Sequence, residues 1–316
     1  MAEAPEPSTS PPAGRVHRVD GARLEEAVRV LVRGDAAAAS RFLAHARSNR
    51  ISLDHLWAFL DDRDRIRATV LVAPGTGRTA MVFASRAGST AMIDVLGDLV
   101  RRAIEGLDGA GIDLAQALVD PTDTREEAIF LAGGFSRMAE LDYLERPIPR
   151  FGSIPAPDLP AGVTIEPWDG EDRKLLEDLL ERTYEHTLDC PGLSRLRRTS
   201  DILDGHMATG VRIPEWWHVL RVDGRPAGVL LFNRGSDGHT IELVYLGLDT
   251  ESRGRGLART LLTFGLSLLN DDPARLVVLA VDRANHPATR LYRRAGFRYS
   301  VRRLALVRPV GEVEPG

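Results

Sequence analysis

The chain contains one segment twice. Residues 117–147, ALVDPTDTREEAIFLAGGFSRMAELDYLERP, align without a gap on residues 279–309, LAVDRANHPATRLYRRAGFRYSVRRLALVRP, at an offset of 162 positions. An earlier pair of segments, which begin at Trp57 and Trp217, aligns at an offset of 160. A chance likeness between two strand and helix segments explains one such match better than it explains both. Because repeats of one sequence adopt one architecture, this feature predicts two similar units.

The segment between the copies indicates where the units divide. Residues 146–162, RPIPRFGSIPAPDLPAG, contain five prolines, which restrict the preceding residues to extended geometry. We therefore expect one domain over 15–154 and a second over 155–316, each of about 150 residues, which is enough to bury a core. The first 14 residues, MAEAPEPSTSPPAG, have little apolar surface to bury and are expected to form a disordered tail.

Hydrophobic periodicity within the second copy predicts its fold class. Apolar residues recur at helical spacing in some segments and alternate in others. The expected order is two helices, three strands, a helix, a strand, a helix and a strand, over 170–186, 193–207, 216–224, 226–235, 239–249, 256–269, 274–281, 286–296 and 297–307. Such a chain forms a mixed α/β (α+β) sheet flanked by helices, and the repeat predicts the same for the first copy.

Composition excludes several classes of function. The net charge is −4, from 41 basic and 45 acidic residues spread along the chain, so no nucleic-acid partner is expected. Cys190 is the only cysteine, and no Cys/His spacing suggests a metal site. We find neither a secretion signal nor a run of about 18 apolar residues, and therefore expect a cytoplasmic protein without a membrane partner.

One turn in the second copy has the character of a phosphate site. In YLGLDTESRGRGLARTLL, residues 245–262, an apolar strand ends at a glycine- and arginine-rich turn that leads into a helix. Such a turn presents backbone N–H groups without partners at the positive end of a helix dipole. Two common phosphate motifs do not fit, because the only lysine is Lys174 and because Arg259 stands where a dinucleotide fingerprint needs a third glycine. We expect this turn to bind a pyrophosphate, with Arg253 and Arg255 adding positive charge.

The pattern that does fit is Arg253-x-x-Gly256-x-Ala258. Together with NHPATRLYRRAGF, residues 285–297, it resembles the motifs of the GNAT superfamily of acetyl-CoA-dependent N-acetyltransferases. The resemblance spans the second copy and implies two tandem GNAT-like acyl-CoA N-acyltransferase domains, each with a sheet that splays between its fourth and fifth strands. Acetyl-CoA would enter the gap as co-substrate, with no metal. The residues implied to bind it are Leu246, Gly247, Leu248, Arg253, Gly254, Arg255, Gly256, Leu257, Ala258, Asn285 and Tyr292.

The first copy lacks this chemistry. Ser89 stands in the position of Gly256, Phe130 in that of Tyr292 and Asp123 in that of Asn285. We interpret the first copy as a degenerate repeat, retained for packing or for shaping the substrate cleft. The layout is similar to that of tandem superfamily members whose second copy is active.

Two side chains are expected to be catalytic, because acetyl transfer needs an amine without its extra proton and a proton for the departing thiolate. Glu242 lies in the apolar stretch IELVYLGL, where alternation places it on the face of Val244 and Leu246 and partial desolvation would raise its pKa. The resemblance assigns Glu242 as general base; the alternative is a strand glutamate that faces solvent. It assigns Tyr292, two helical turns after Asn285, as general acid; the alternative is an aromatic residue that only packs.

The remaining expectations concern the oxyanion and the acceptor. The resemblance implies that the backbone N–H of Leu248 stabilises the oxyanion, freed by a strand bulge at Gly247. Tyr184, Asp189 and Trp216 are the candidate acceptor residues, with Asp189 suited to a cationic amine; His186, Cys190 and His206 are better explained as structural. The expected function is acetyl transfer to a primary amine of a small molecule or peptide in a ternary complex, by a monomer or homodimer. The alternative is a non-catalytic CoA-binding regulatory or scaffold protein.

Overall fold

A computed structural model describes residues 13–49, 51–107, 109–149, 152–168 and 170–311. Most of the tail expected over residues 1–14 lies outside the described residues, whereas Gly14 begins the first strand. The chain forms two compact units, one of residues 1–138 and 304–316 and the other of residues 139–303. This division differs from the boundary expected near residue 155.

The two copies have the same order of elements. In the first copy the strands and helices are β1 (Gly14–Arg18), α1 (Leu24–Leu31), α2 (Ala36–Ser48), β2 (Leu56–Asp61), β3 (Ile66–Gly75), β4 (Thr79–Ala84), α3 (Thr90–Glu105), β5 (Leu114–Val119), α4 (Thr124–Ala132) and β6 (Ser136–Pro147). In the second copy they are β7 (Val163–Pro167), α5 (Arg173–Tyr184), α6 (Thr199–Ala208), β8 (Val211–Val222), β9 (Arg225–Arg234), β10 (Thr240–Leu248), α7 (Leu257–Ser267), β11 (Leu276–Asp282), α8 (His286–Arg294) and β12 (Arg298–Pro309). The repeat predicted from sequence is confirmed.

Each unit contains a six-stranded segment of sheet. In the unit of residues 139–303 the order is β7-β8-β9-β10-β11-β6, antiparallel throughout except for the parallel pair of β10 and β11. In the other unit the order is β1-β2-β3-β4-β5-β12, with β4 and β5 parallel. The last strand of each copy thus pairs with the fifth strand of the other copy. This exchange explains why the compact units do not divide at the proline-rich segment.

Helices cover both faces of the second unit's sheet. α7 and α8 pack on one face in a core that includes Leu257, Leu261, Val277, Leu279 and Tyr292, here called the α7/α8 core. α5 and α6 pack on the other face in a core that includes Leu176, Leu179, Leu203, Trp217 and Leu231, here called the α5/α6 core. Full burial of one such aliphatic side chain contributes about 1.5–3 kcal/mol to the free energy of folding.

The order of elements expected from the sequence missed β7, because this five-residue strand, VTIEP, has one buried residue and ends in proline.

Local sequence signals determine where α8 begins. Asn285 is its N-cap, and the side-chain oxygen accepts the N–H of Ala288 at 3.2 Å, while Pro287 occupies the first turn. In the first copy Asp123 caps α4 in the same way, with the N–H of Glu126 at 3.0 Å. The position of Asn285 therefore has a structural role in both copies.

Within the described ranges, no helix has the length and apolar character needed to cross a membrane.

Candidate active site

The parallel strands β10 and β11 pair over only three residues and then separate. Thr240 to Glu242 lie in register with Leu276 to Val278, and no pairing follows. A cavity of about 1130 Å³ lies beyond this point, lined by β10 from Leu243 to Leu248, the end of β11, the first turns of α7, one side of α8 and the loop after α5. The fold thus has the splayed sheet that the resemblance implies.

A bulge in β10 lies inside this gap. Leu243 pairs with Phe232 and Tyr245 pairs with Leu231, so Val244 is an extra residue without a partner on β9. The expectation of a bulge at Gly247 is wrong, because Gly247 and Leu248 lie in register with Val229 and Gly228. The N–H of Asp249 donates to the carbonyl of Ala227 on β9 at 2.9 Å, so the alternation of an antiparallel ladder directs the N–H of Leu248 away from β9 and towards the gap.

The bulge also changes which side chains share a face. Glu242 pairs with Asn233, whose side chain accepts the indole N–H of Trp217 in the α5/α6 core at 2.8 Å. Leu246 pairs with Leu230 and packs against the α7/α8 core. Glu242 and Leu246 thus lie on opposite faces, contrary to the simple alternation expected from sequence, because the extra residue reverses the alternation.

Gly247 has a steric role instead. A Cβ at this position would lie 2.7 Å from the ring of Tyr245. That ring stacks on His206 at 5.5 Å, and its hydroxyl shares a hydrogen bond with Thr183 at 2.8 Å. The glycine leaves room for a tyrosine that forms part of the cavity wall.

The turn before α7 is built to leave main-chain amides open. Gly254 and Gly256 have φ of 76° and 82°, in the left-handed region that favours glycine. The carbonyl of Gly256 accepts the N–H groups of Arg259 and Thr260, and α7 begins at Leu257 without a side-chain cap. Within the described part of the chain, the N–H groups of Leu257 and Ala258 have no hydrogen-bond partner. A Cβ added at either glycine would meet nothing within 4 Å, so an anion has access to the backbone here.

The two arginines of the turn differ in role. Arg253 donates to the carbonyl of Leu248 at 3.1 Å, to that of Thr183 at 2.8 Å and to that of His186 at 3.4 Å. Its guanidinium therefore ties the turn to the end of α5 instead of serving mainly as a free positive charge. Arg255 is exposed and is not among the residues that line the cavity.

We expect Arg253→Ala to weaken binding of acetyl-CoA about tenfold, because the loss of hydrogen bonds from a charged donor costs about 1.5–3 kcal/mol and loosens the turn. Arg253→Lys would not restore binding, since one ammonium group cannot reach three carbonyls as a planar guanidinium does. Isothermal titration with acetyl-CoA measures the effect. Arg255→Ala is the matched control, and equal losses in the two alanine variants would contradict this role.

Tyr292 lies where the cavity meets the α7/α8 core. It is buried, its ring contacts that of Phe297 edge to face at 5.7 Å, and it lines the cavity. Burial raises the pKa of its phenol, and the nearby carboxylate of Asp189 adds to the effect. The hydroxyl has no hydrogen-bond partner within the described ranges. Tyr292 thus packs, as the structural alternative requires, and still faces the cavity.

Glu242 is half-buried beside the gap. Burial raises the pKa of its carboxyl group, which agrees with the expectation for an acid in an apolar strand. No ion pair or hydrogen bond of its side chain is found among the described residues. Glu242 does not line the cavity itself. A water molecule or the acceptor is therefore needed to connect it with the thioester.

The three candidate acceptor residues lie in different places. Tyr184 and Asp189 line the cavity. Trp216 does not: it is buried in the α7/α8 core, and the guanidinium of Arg234 lies 5.0 Å from its ring centroid. The expectation for Trp216 is therefore corrected, since an aromatic residue that begins a buried strand segment is held by packing.

Asp189 joins the loop after α5 to the end of β11. Its Oδ1 accepts the N–H of Asp282 at 2.9 Å, and Oδ2 of Asp282 accepts the N–H of Cys190 at 3.1 Å. Burial raises the pKa of Asp189, and the second carboxylate adds to the shift. One carboxylate oxygen thus holds the cavity wall, a contact that the sequence did not indicate.

The corresponding turn of the first copy is built differently. Ser89, in the position of Gly256, precedes α3 with a φ of −149°, which is ordinary extended backbone. Arg86, in the position of Arg253, forms an ion pair with Asp123 at 3.5 Å. β4 pairs with β3 without a bulge. Neither the left-handed glycines nor the bulge of the second copy is present here.

Comparisons with known proteins agree with this geometry. The family model described as the acetyltransferase (GNAT) family matches residues 176–297. The chain is 30% identical over 222 residues to a mycothiol acetyltransferase from Thermobispora bispora, and the match covers 64% of this chain and 67% of that relative.

Solved structures show the same fold. A GCN5-related N-acetyltransferase from Sphaerobacter thermophilus superposes with a TM-score of 0.61 at 17% identity, over 95% of this chain and 96% of that one. A tandem GNAT protein from the clavulanic acid biosynthesis pathway superposes with a TM-score of 0.55 at 15% identity, over 96% of this chain and all of that one, 100%. The splayed sheet, the glycine turn and the likeness to these relatives lead to one conclusion: the chain belongs to the GNAT family of acetyltransferases.

Proposed function

We propose that the second copy transfers the acetyl group of acetyl-CoA directly to a primary amine while both substrates are bound. The observation that carries this proposal is the pair of open amides at Leu257 and Ala258, at the mouth of a cavity that enters the sheet between β10 and β11. This arrangement suits a coenzyme whose diphosphate binds at a helix N-terminus and whose thioester reaches the gap.

The proposed chemistry assigns each proton. The amine nitrogen attacks the thioester carbonyl, and Glu242 accepts the proton of the amine through water. Backbone N–H groups of β10 that point into the gap, where β11 no longer pairs with them, stabilise the oxyanion. As the C–S bond breaks, Tyr292 donates its phenolic proton to the thiolate of CoA. The products are the amide and the free thiol.

The relatives suggest which acceptor to test first. Several are named mycothiol acetyltransferase, which makes the amine precursor of mycothiol the first acceptor to test. Release of the CoA thiol in the presence of that precursor, and of a panel of primary amines and peptides, tests the function. Binding of acetyl-CoA without thiol release for any of them would favour the non-catalytic alternative.

We expect the acid limb of the pH profile to report Glu242. Because burial raises its pKa above the ordinary value of about 4.3, kcat/KM would rise with pH through that raised pKa as the carboxylate ionises. The pKa of Tyr292 is also raised, so the phenol stays protonated throughout the neutral range. Measurement of kcat/KM from about pH 5 to about 9 gives the profile.

Glu242→Gln would remove this acid limb and lower kcat/KM about 100-fold, within the range ascribed to general bases. Glu215→Gln, which changes an exposed carboxylate on β8, is the control and should retain the wild-type profile. An unchanged acid limb in Glu242→Gln would assign the base to another group.

We expect the protein to act in the cytoplasm, as a monomer or homodimer.

A further inference from the structure

The strand β6, which comes from the first copy, adds side chains to the face of the second unit's sheet that lies opposite the α7/α8 core. Val278 of β11 pairs with Glu242 on one side and with Glu145 of β6 on the other. Ala280, two residues further along β11, pairs with Tyr143. Because directly paired residues share a face and alternation has a period of two, these five side chains lie on one face. Glu242 and Glu145 are two strand spacings apart, or about 10 Å.

This face meets the cavity at Ala280, whereas its other four side chains are not among the residues that line the cavity. Ala280 lines the cavity and is exposed, whereas Leu279 and Val281, its neighbours in sequence, are buried in the α7/α8 core. Val278, which lies between the two carboxylates, and Ala280, which lies beside Tyr143, thus form a low apolar floor on this face. Substrate in the gap between β10 and β11 would extend over this floor towards β6.

The charges on this face favour a cation. Glu145 is half-buried, and no ion pair or hydrogen bond of its side chain is found within the described ranges. Burial raises the pKa of Tyr143, and the carboxylate of Glu242 raises it further, so the phenol and Glu242 lie within electrostatic reach of each other. The positive charge of Arg303 lowers the pKa of Tyr143. The guanidinium of Arg303 also donates a hydrogen bond to the carbonyl of Arg302 at 2.8 Å. A cationic group on this face would give hydrogen-bond partners both to the partly desolvated carboxylate of Glu242 and to the carboxylate of Glu145.

We propose that Tyr143 and Glu145 form the far wall of the acceptor site and bind a second cationic group of the amine substrate. The acceptor would then be a diamine, or an amino compound with a second ammonium group, that spans from Glu242 to Glu145. This inference rests on the proposed function. It also gives the first copy a direct part in substrate selection, because its last strand supplies both residues.

Bisubstrate analogues test this inference without knowledge of the natural acceptor. CoA is joined through its sulfur and a –CH₂–CO– unit to an amide nitrogen, which carries a chain of about four or six methylene groups to cover the expected span. The chains end in an ammonium, a methyl or a carboxylate group. We expect the ammonium analogue to bind about tenfold more tightly than the methyl analogue, and the carboxylate analogue to bind most weakly.

Variants locate the source of this preference. Glu145→Gln should reduce the ammonium preference to within about twofold, and Tyr143→Phe should reduce it in part, while both retain wild-type affinity for CoA itself. Glu215→Gln, on β8, should retain the full preference. Equal binding of the three analogues by the wild type, or an undiminished preference in Glu145→Gln, would overturn the inference. Failure of wild-type protein to bind CoA or any analogue would instead refute the proposed function.

Discussion

Gly256→Glu is expected to weaken binding of acetyl-CoA at least about 100-fold, because it places a carboxylate where the diphosphate should lie. Gly256 has a φ of 82°, so any side chain also strains the left-handed backbone by about 1–2 kcal/mol. A Cβ here meets no protein atom within 4 Å, so the side chain would extend into the space left for the anion. Isothermal titration with acetyl-CoA gives the affinity, and far-ultraviolet circular dichroism verifies the fold.

The first copy provides the control. Ser89→Glu makes the equivalent change at the start of α3, where the backbone is extended and the left-handed glycines are missing. We expect its affinity for acetyl-CoA to remain within about twofold of the wild type, because Ser89 is exposed and does not line the coenzyme cavity. If Ser89→Glu weakened binding as much as Gly256→Glu, the coenzyme site would not belong to the second copy alone.

Tyr292→Phe is expected to lower kcat about 100-fold with little change in the affinity for acetyl-CoA, because a general acid contributes about 10²–10⁴ in rate. The phenolic hydroxyl has no hydrogen-bond partner in the described part of the chain, so its removal leaves no buried group unpaired. The first copy shows that phenylalanine packs at this position: Phe130 meets Phe135 edge to face at 5.2 Å, much as Tyr292 meets Phe297 at 5.7 Å.

Single-turnover measurements with saturating acetyl-CoA separate this chemical step from binding. Tyr299→Phe removes an exposed phenol from β12 and is the matched control. A kcat of Tyr292→Phe within about twofold of the wild type would leave Tyr292 with a packing role only.

Much of this fold follows from local patterns in the sequence. Alternating and helical apolar spacing predicted α5 to α8 and β8 to β12, and the turn residues 253–258 marked the anion site. These features depend on residues near one another in sequence. β7 escaped notice because it is short and mostly exposed, and its place in the sheet depends on pairing with β8.

What could not be predicted depends on contacts between distant residues. The bulge at Val244 has no residue signature, and it reverses the alternation that placed Glu242 beside Leu246. The guanidinium of Arg253 was expected to face a phosphate, yet carbonyls at Thr183 and His186 occupy it. The partners of β6 and β12 were equally hidden, because strand pairing is set by the fold and not by local propensity.

The exchange of last strands has a consequence for how such a chain can evolve. A gene that lost its first half would also lose β6, which lies beside β11 in the sheet of the second unit. The bare edge of β11 would then invite aggregation. This pairing gives the first copy a structural reason to be retained, whatever chemistry it has lost.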